Sequence, residues 1–276
     1  MIKDLVVNLG LGKTRDAGAE YAVSVAQAFD AHVSGVAFLY EPIVPPSVMG
    51  GVPAEIIDAQ WSESEKAASA AVARFEELGR RAGVAHEHRK LEATLGGAGD
   101  QFGSLARRFD LAVVGQAEPR HGPAQDLIIE GALFGSGRPV IVAPYIEKRG
   151  LTLDRVLVCW DGSRPAARAI ADAMPFLQRS GAVQVITVSG GREKDNEIAG
   201  VDMGEHLARH GLKIEVKRIV STGIDVPSTI LSYAADSGAD FIVMGGFGHS
   251  RLREFVLGGA TRGILAAMTV PTLMSH

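Results

Sequence analysis

The chain has almost no cysteine. Cys159 is the single cysteine among its 276 residues, which excludes an intramolecular disulfide framework. Cys159 ends a predicted buried strand, and this position favours an inert core thiol over a redox sensor, which needs an exposed thiolate. The eight histidines show no metal-ligand spacing, and no Ser-His-Asp order is visible, so the sequence gives no sign of a zinc site or a hydrolase triad.

Strong charge and long apolar runs are also missing. The net charge of −4 provides no basic field for nucleic acid. No stretch reaches the ~18 consecutive apolar residues of a membrane span. The first residues start a core strand without a secretory signal. We therefore expect a cytoplasmic protein that binds neither nucleic acid nor membrane.

The sequence repeats about halfway along the chain. The recurring segments are an acidic residue followed by an apolar run, a final apolar strand, and the first strand of each half. They are Asp110–Gly115 with Asp240–Gly245, Arg138–Ala143 with Val270–Ser275, and Lys3–Asn8 with Asp154–Cys159. Since each half has the usual size of one domain, we predict two domains, residues 1–148 and 149–276.

Short apolar runs alternate with segments of helical periodicity in each half. This order predicts an α/β fold with a parallel sheet, right-handed crossovers, and ligands at the carboxyl ends of the strands. In the second half we expect strands over 155–160, 182–188, 213–220, 240–244 and 270–274, and helices over 165–177, 197–210, 226–237 and 258–267.

Two glycine clusters follow the apolar run that ends at Met244. Gly245 and Gly248 are separated by two residues, and nine residues separate Gly248 from Gly258, where a predicted helix begins. Glycines leave room for backbone N–H groups to turn toward an anion, and a helix N-terminus favours phosphate. The pattern indicates a phosphate-binding loop. The structural alternative is that these glycines only form turns and helix ends.

This spacing resembles the ATP-binding motif of the universal stress protein family, in which the third glycine is followed by Ser or Thr. Here Gly259 stands at that last position, and Thr261 is two residues further on. The resemblance covers the chain from Ile2 to His276. It implies a tandem protein of two Rossmann-like, HUP-type domains, each a five-stranded parallel sheet flanked by helices, related by a pseudo-twofold axis.

The resemblance also implies roles for residues after the first two strands of the second half. Asp161 would contact the ribose or a phosphate-bound Mg²⁺, although it could instead be the N-cap of the next helix. Trp160 would stack on the base or crowd the pocket, and the backbone of Val188 would meet adenine.

Near the glycines, side chains after Gly248 would reach the phosphates, while exposed arginines are also ordinary on any surface. The complete nucleotide site implied by the family is Trp160, Asp161, Val188, Met244, Gly245, Gly248, His249, Ser250, Arg251, Gly258, Gly259, Ala260 and Thr261, with Asp161 as the metal contact.

The first half lacks the motif. After Gly115 it has no glycine at the third following position, Glu118 adds negative charge, and Pro119 removes a backbone donor. We expect a degenerate N-terminal domain and ATP, with Mg²⁺, in the C-terminal domain only.

The family implies a stress-response regulatory protein that acts through nucleotide occupancy and contacts with unknown protein partners. It would be at most a slow ATPase. The alternatives are a nucleotide-free interaction module with relic glycines and, more distantly, an adenine-nucleotide or flavin enzyme of related fold. We expect the final strands of the halves, Arg138–Ala143 and Val270–Met274, to pair within one chain as a pseudo-dimer. The apolar Pro42–Pro53 loop is a connector, a lid or a homodimer contact.

Overall fold

The computed structural model describes residues 1–42, 53–118, 124–189, 197–221, 223–246 and 259–276. They form two compact units, an N-terminal unit (Ile2–Ser136) and a C-terminal unit (Gly137–His276, grouped with Met1). Residues 43–52 of the Pro42–Pro53 loop lie outside the described residues, as do Gly248, His249, Ser250, Arg251 and Gly258.

The N-terminal unit is an α/β domain with a parallel sheet in the order β3-β2-β1-β4. The central strand β1 is apolar and enclosed on both faces, as expected for a parallel sheet covered by helices. The elements are β1 (Asp4–Asn8), α1 (Ala17–Phe29), β2 (His32–Tyr40), α2 (Ala54–Ala82), β3 (His86–Ala93), α3 (Ala98–Ala106), β4 (Leu111–Gly115) and α4 (Ala124–Gly135).

The C-terminal unit repeats this order and adds β5. Its elements are β5 (Val140–Ala143), β6 (Arg155–Cys159), α5 (Arg164–Leu177), β7 (Ala182–Ser189), α6 (Glu197–Arg209), β8 (Ile214–Val220), α7 (Val226–Ser237), β9 (Phe241–Gly245), α8 (Gly259–Ala267) and β10 (Thr272–Ser275). Its strands lie in the order β5-β10-β9-β6-β7-β8. The five strands from β10 to β8 are parallel, which confirms the fold predicted for the second half.

The predicted pairing of the two final strands is confirmed. β5 runs antiparallel to β10, and Ile141 lies opposite Leu273. Pro271, which has no N–H to donate, precedes β10, and its carbonyl accepts from the Ile242 amide. The contacts of β5 place it in the C-terminal unit, although the repeat assigns it to the first half. A domain boundary between residues 148 and 149 stays a prediction.

The acidic residue that precedes the fourth strand of each half, Asp110 or Asp240, plays the same structural role in both units. Asp240 accepts hydrogen bonds from the amides of Asp154 and Arg155, and Asp110 accepts from those of Lys3 and Asp4. Each carboxylate therefore joins the start of the fourth strand of its half to the start of the first. This connection aligns the carboxyl ends of the same two strands at the opposite edge of the sheet.

Candidate functional site

The strands β6 and β9 form the switch point of the C-terminal unit. They are neighbours, with Cys159 opposite Met244, although two strands, β7 and β8, lie between them in the sequence. The chain continues from β6 to β7 on one side and from β9 to β10 on the other. Such a divergence leaves a crevice at the carboxyl ends, where ligands bind in open α/β sheets. Trp160 and Asp161, after β6, and Gly245, at the end of β9, therefore lie at the same edge of the sheet.

The loop after β6 turns sharply before α5. Oδ1 of the exposed Asp161 accepts from the Ser163 amide at 2.9 Å, and Gly162 between them has a φ of +76°. The Ser163 hydroxyl then accepts from the Ala166 amide at 3.2 Å and is the N-cap of α5. The interpretation of Asp161 as the helix cap is therefore wrong, because it forms the turn before the cap. Among described residues, its second carboxylate oxygen has no partner.

The backbone of Trp160 is hydrogen-bonded to β7, since the Trp160 amide donates to the carbonyl of Ile186 at 2.9 Å. The residue is partly exposed, whereas its indole Nε1 is buried and has no hydrogen-bond partner among the described residues. A buried tryptophan N–H usually finds an acceptor. Within the described ranges, this buried donor is left without an acceptor.

Val188 lies beyond the end of β6. The last residue of β6, Cys159, is opposite Ile186, so β7 extends past its neighbour toward the carboxyl edge. Val188 is half-buried, and the next residue, Ser189, accepts from Arg218 Nε at 3.3 Å. The end of β7 can therefore form one wall of the crevice, as predicted for Val188.

Gly245 has a packing role that the sequence pattern did not reveal. A Cβ on this residue would lie 2.5 Å from the Ala166 nitrogen and 2.8 Å from the Pro165 carbonyl carbon, both in the backbone of α5. The glycine therefore lets β9 approach the first turn of that helix. The N-terminal unit has the same approach, since a Cβ on Gly18 would lie 2.8 Å from the Gly115 nitrogen.

Helix α8 begins at Gly259, within one residue of the predicted start. A Cβ on Gly259 would meet no heavy atom of the described residues within 4 Å, so these residues leave the helix start open. Ala260 is half-buried and Thr261 is 2% exposed. Thr261 is therefore part of the core. The unpaired backbone N–H groups of a helix start favour an anion.

The corresponding edge of the N-terminal unit is closed by an ion pair. Lys13, after β1, lies 2.7 Å from Glu118, after β4, and their side chains are only 15% and 26% exposed. The backbone amide of the neighbouring Gly10 donates to Asp16 Oδ2 at 2.6 Å, and the side-chain Nε2 of Gln125 donates to the Gly115 carbonyl at 2.7 Å. Glu118 thus adds a negative charge after β4, where an anion would be repelled. Pro119 lies outside the described residues.

Cys159 is half-buried at the end of β6. Burial raises the pKa of its thiol to about 12, and the negative charge of Asp161 adds to the shift. This raised pKa favours the protonated, unreactive thiol at neutral pH, as the sequence predicts, although the residue is not fully enclosed in the core.

Comparison with known proteins identifies a family domain in the second half of the chain. Residues 152–276 match the sequence model of the universal stress protein family. The chain contains a universal stress protein domain. A universal stress protein of Synechocystis sp. is 27% identical over 183 residues, which span 63% of this chain and 60% of that relative. The match therefore covers less than two thirds of the relative's length.

Solved structures share the fold of the universal stress protein domain and its repeat. A universal stress protein from Archaeoglobus fulgidus DSM 4304 aligns with a TM-score of 0.72 at 17% identity, over 98% of this chain and 97% of that one. A protein of unknown function from Pseudomonas aeruginosa PAO1 aligns with a TM-score of 0.63 at 14% identity, over 99% of this chain and 92% of that one. At these identities the similarity concerns the fold.

Within the universal stress protein domain, five of the predicted site residues lie at or just after the ends of three neighbouring strands. Trp160 and Asp161 adjoin Met244 and Gly245, and Val188 lies on the next strand. Met244 is 5% exposed and belongs to the core. Sequence reasoning missed the cap Ser163 and the counter-ion Lys13. Ser163 stands at an ordinary capping position before Pro165, whereas nothing in the local sequence pairs Lys13 with Glu118.

Proposed function

We propose that the C-terminal unit binds ATP with Mg²⁺ at the switch point between β6 and β9, and that the protein is a stress-response regulator that acts through nucleotide occupancy and protein contacts. One observation carries the proposal. Asp161 follows β6, Gly245 ends the neighbouring β9, and the chain leaves these two strands in opposite directions along the sheet, so a carboxylate and a glycine backbone lie at the same carboxyl edge.

The helix start of α8 supports the phosphate end of this proposal. The open space at Gly259 lets a phosphate oxygen approach the backbone closely, and the N-terminus of α8 favours its negative charge. The glycine spacing from Gly245 through Gly248 to Gly258 supplies the same kind of donor on the way to this helix.

Asp161 fits a metal-bound nucleotide. It is exposed, and only one of its carboxylate oxygens is used by a described residue. Mg²⁺ usually takes one or two protein carboxylates together with substrate phosphates and water. Within the described ranges no group of three or more His, Cys, Asp or Glu side chains could hold a metal. We therefore expect Mg²⁺ to arrive with the nucleotide, with Asp161 as its protein contact, and we expect slow hydrolysis at most.

The second candidate is a nucleotide-free interaction module. Gly245 favours it, because the contact of β9 with α5 requires a glycine there even without a ligand. The two candidates differ in one property, which is whether the purified protein binds ATP.

Calorimetric titration of the full chain with Mg²⁺ and ATP tests the proposal. The full chain is needed because a cut at residue 148 would remove β5 from its partner β10. Gly259→Val adds a branched side chain in open space, so it should leave the fold intact and block the phosphate. Gly96→Val is the matched control, since Gly96 lies in the N-terminal unit and a Cβ there also meets nothing within 4 Å.

We expect Gly259→Val to bind ATP at least about tenfold more weakly than wild type, a loss of ~1.4 kcal/mol. Gly96→Val should bind normally. A folded Gly259→Val variant with wild-type affinity would reject the phosphate site. A wild-type protein that does not bind ATP would favour the interaction module.

A further inference from the structure

The buried N–H of Trp160 has no structural explanation within the described part of the chain. Nε1 is buried without a hydrogen-bond partner, although the residue as a whole is partly exposed. Leaving a donor in this state destabilises a folded protein, and native structures contain few such groups. Among the described residues, no group accepts a hydrogen bond from this donor, so a ligand could supply the acceptor.

The N-terminal unit shows that packing does not require an indole here. Leu9 follows β1 as Trp160 follows β6, and its amide donates to the Val36 carbonyl at 2.8 Å, just as the Trp160 amide donates to Ile186. Leu9 is 2% exposed and has no polar side-chain atom. The same backbone position is therefore filled by an apolar side chain in the unit whose crevice is closed by Lys13 and Glu118.

We infer that Trp160 is a specificity residue of the nucleotide site and that its indole N–H donates to an acceptor nitrogen of the purine ring. This inference rests on the function proposed above. The Trp160 backbone pairs with β7, on the side of β6 opposite to β9 and its glycines. Since the phosphates lie toward Gly245 and Gly259, the base lies toward β7 and Trp160.

Binding of the nucleotide would give the indole N–H of Trp160 the acceptor that it lacks among the described residues of the free protein. The indole N–H is shielded from water in this structure, so the base must displace the ring slightly to reach it. Trp160 is only partly buried, which leaves it room for such a change. A pyrimidine, which has a smaller ring, should gain less from this donor.

Two substitutions separate the donor from the ring. Trp160→Phe keeps an aromatic face and removes the N–H, and Trp160→Leu reproduces the residue of the N-terminal unit. We expect Trp160→Phe to bind ATP about five- to tenfold more weakly than wild type, as for the loss of one hydrogen bond. Without nucleotide it should melt no lower than wild type, because the unpaired donor is gone. If Trp160→Phe binds like wild type and only Trp160→Leu is weaker, the ring stacks on the base and the proposal is wrong.

Deaza analogues of ATP identify the acceptor. The assay compares ATP with 1-deaza-, 3-deaza- and 7-deaza-ATP on the wild type and on Trp160→Phe. One analogue, which lacks the acceptor nitrogen, should bind the wild type about five- to tenfold more weakly than ATP does. The same analogue should bind Trp160→Phe as tightly as ATP binds that variant. If every analogue has the same relative affinity for both proteins, the proposal is overturned.

Fluorescence gives an independent readout. The chain has two tryptophans, and Trp61 lies in α2 of the N-terminal unit. In a Trp61→Phe background, ATP should change the emission of Trp160, and an unchanged spectrum at saturation would contradict the contact. A wild type that binds no ATP would refute the proposed function and this inference with it. ATP binding that is insensitive to Trp160→Phe would refute this inference alone.

Discussion

Replacing Gly245 by alanine tests the close approach of β9 to α5. The added Cβ would lie 2.5 Å from the Ala166 nitrogen, 2.8 Å from the Pro165 carbonyl carbon and 3.0 Å from the Ala166 Cα. All three atoms belong to the backbone of the first turn of α5, so no side chain can rotate away to relieve the contact. Either the strand or the helix must move. Inserting an extra group into a packed interior lowers the free energy of unfolding by ~1–3 kcal/mol.

Urea denaturation and calorimetry without nucleotide measure this loss. For a chain of this size each kcal/mol corresponds to a fall in the melting temperature of roughly 2–4 °C. Gly259→Ala is the matched control, because its Cβ meets no atom within 4 Å, and its stability should stay within about 0.5 kcal/mol of wild type. A Gly245→Ala protein as stable as wild type would refute the packing role of Gly245. Equal losses in both variants would do the same.

Four further predictions concern other contacts. Lys13→Met leaves the Glu118 carboxylate without this cation and should lower the free energy of unfolding by ~1–2 kcal/mol. The double variant that also carries Glu118→Met should recover most of this lost stability. If urea denaturation shows no recovery, the two side chains are not coupled. With a pKa of about 12, roughly one Cys159 thiol in ten thousand is ionised at pH 8, so dithionitrobenzoate should react with it only after unfolding, and fast reaction of the native protein would contradict its burial. The pKa of the folded thiol exceeds its unfolded value of 9.0, so the contribution of Cys159 to stability should be present below pH 9 and be lost as the pH rises toward 12; wild type should lose more stability there than Cys159→Ala. In that Cys159→Ala background, Ile141→Cys with Leu273→Cys should form an intrachain cross-link at low protein concentration, and interchain product alone would contradict the β5 and β10 register.

The regular elements follow from local sequence patterns. The apolar periodicity predicted a helix over 226–237, and α7 has these bounds. The short apolar runs predicted β6 to β10 to within two residues at each end. Both signals depend on neighbouring residues only, so one sequence suffices to read them. The pairing of the final strands could also be predicted, because each is a short apolar edge strand whose unpaired backbone N–H and C=O groups favour pairing with another strand.

The details of the site depend on contacts between distant segments. Asp161 and Ser163 are both ordinary N-cap residues two positions apart, and only the backbone geometry shows that Ser163 caps α5 while Asp161 forms the preceding turn. The closure of the N-terminal crevice joins Lys13 to Glu118 across most of a domain. Gly245 fits the phosphate motif and the contact with α5 equally well, so its conformation alone does not distinguish the two roles.

The central claim is that one chain binds one nucleotide, in its C-terminal unit. Native mass spectrometry of the full chain with Mg²⁺ and ATP measures this number directly. We predict a single added ATP on wild type and on Gly96→Val, and a much smaller bound fraction on Gly259→Val at an ATP concentration near the wild-type Kd. Two nucleotides per chain would mean that the N-terminal crevice also binds ATP, and no nucleotide on wild type, or equal occupancy of Gly259→Val and wild type, would contradict the account.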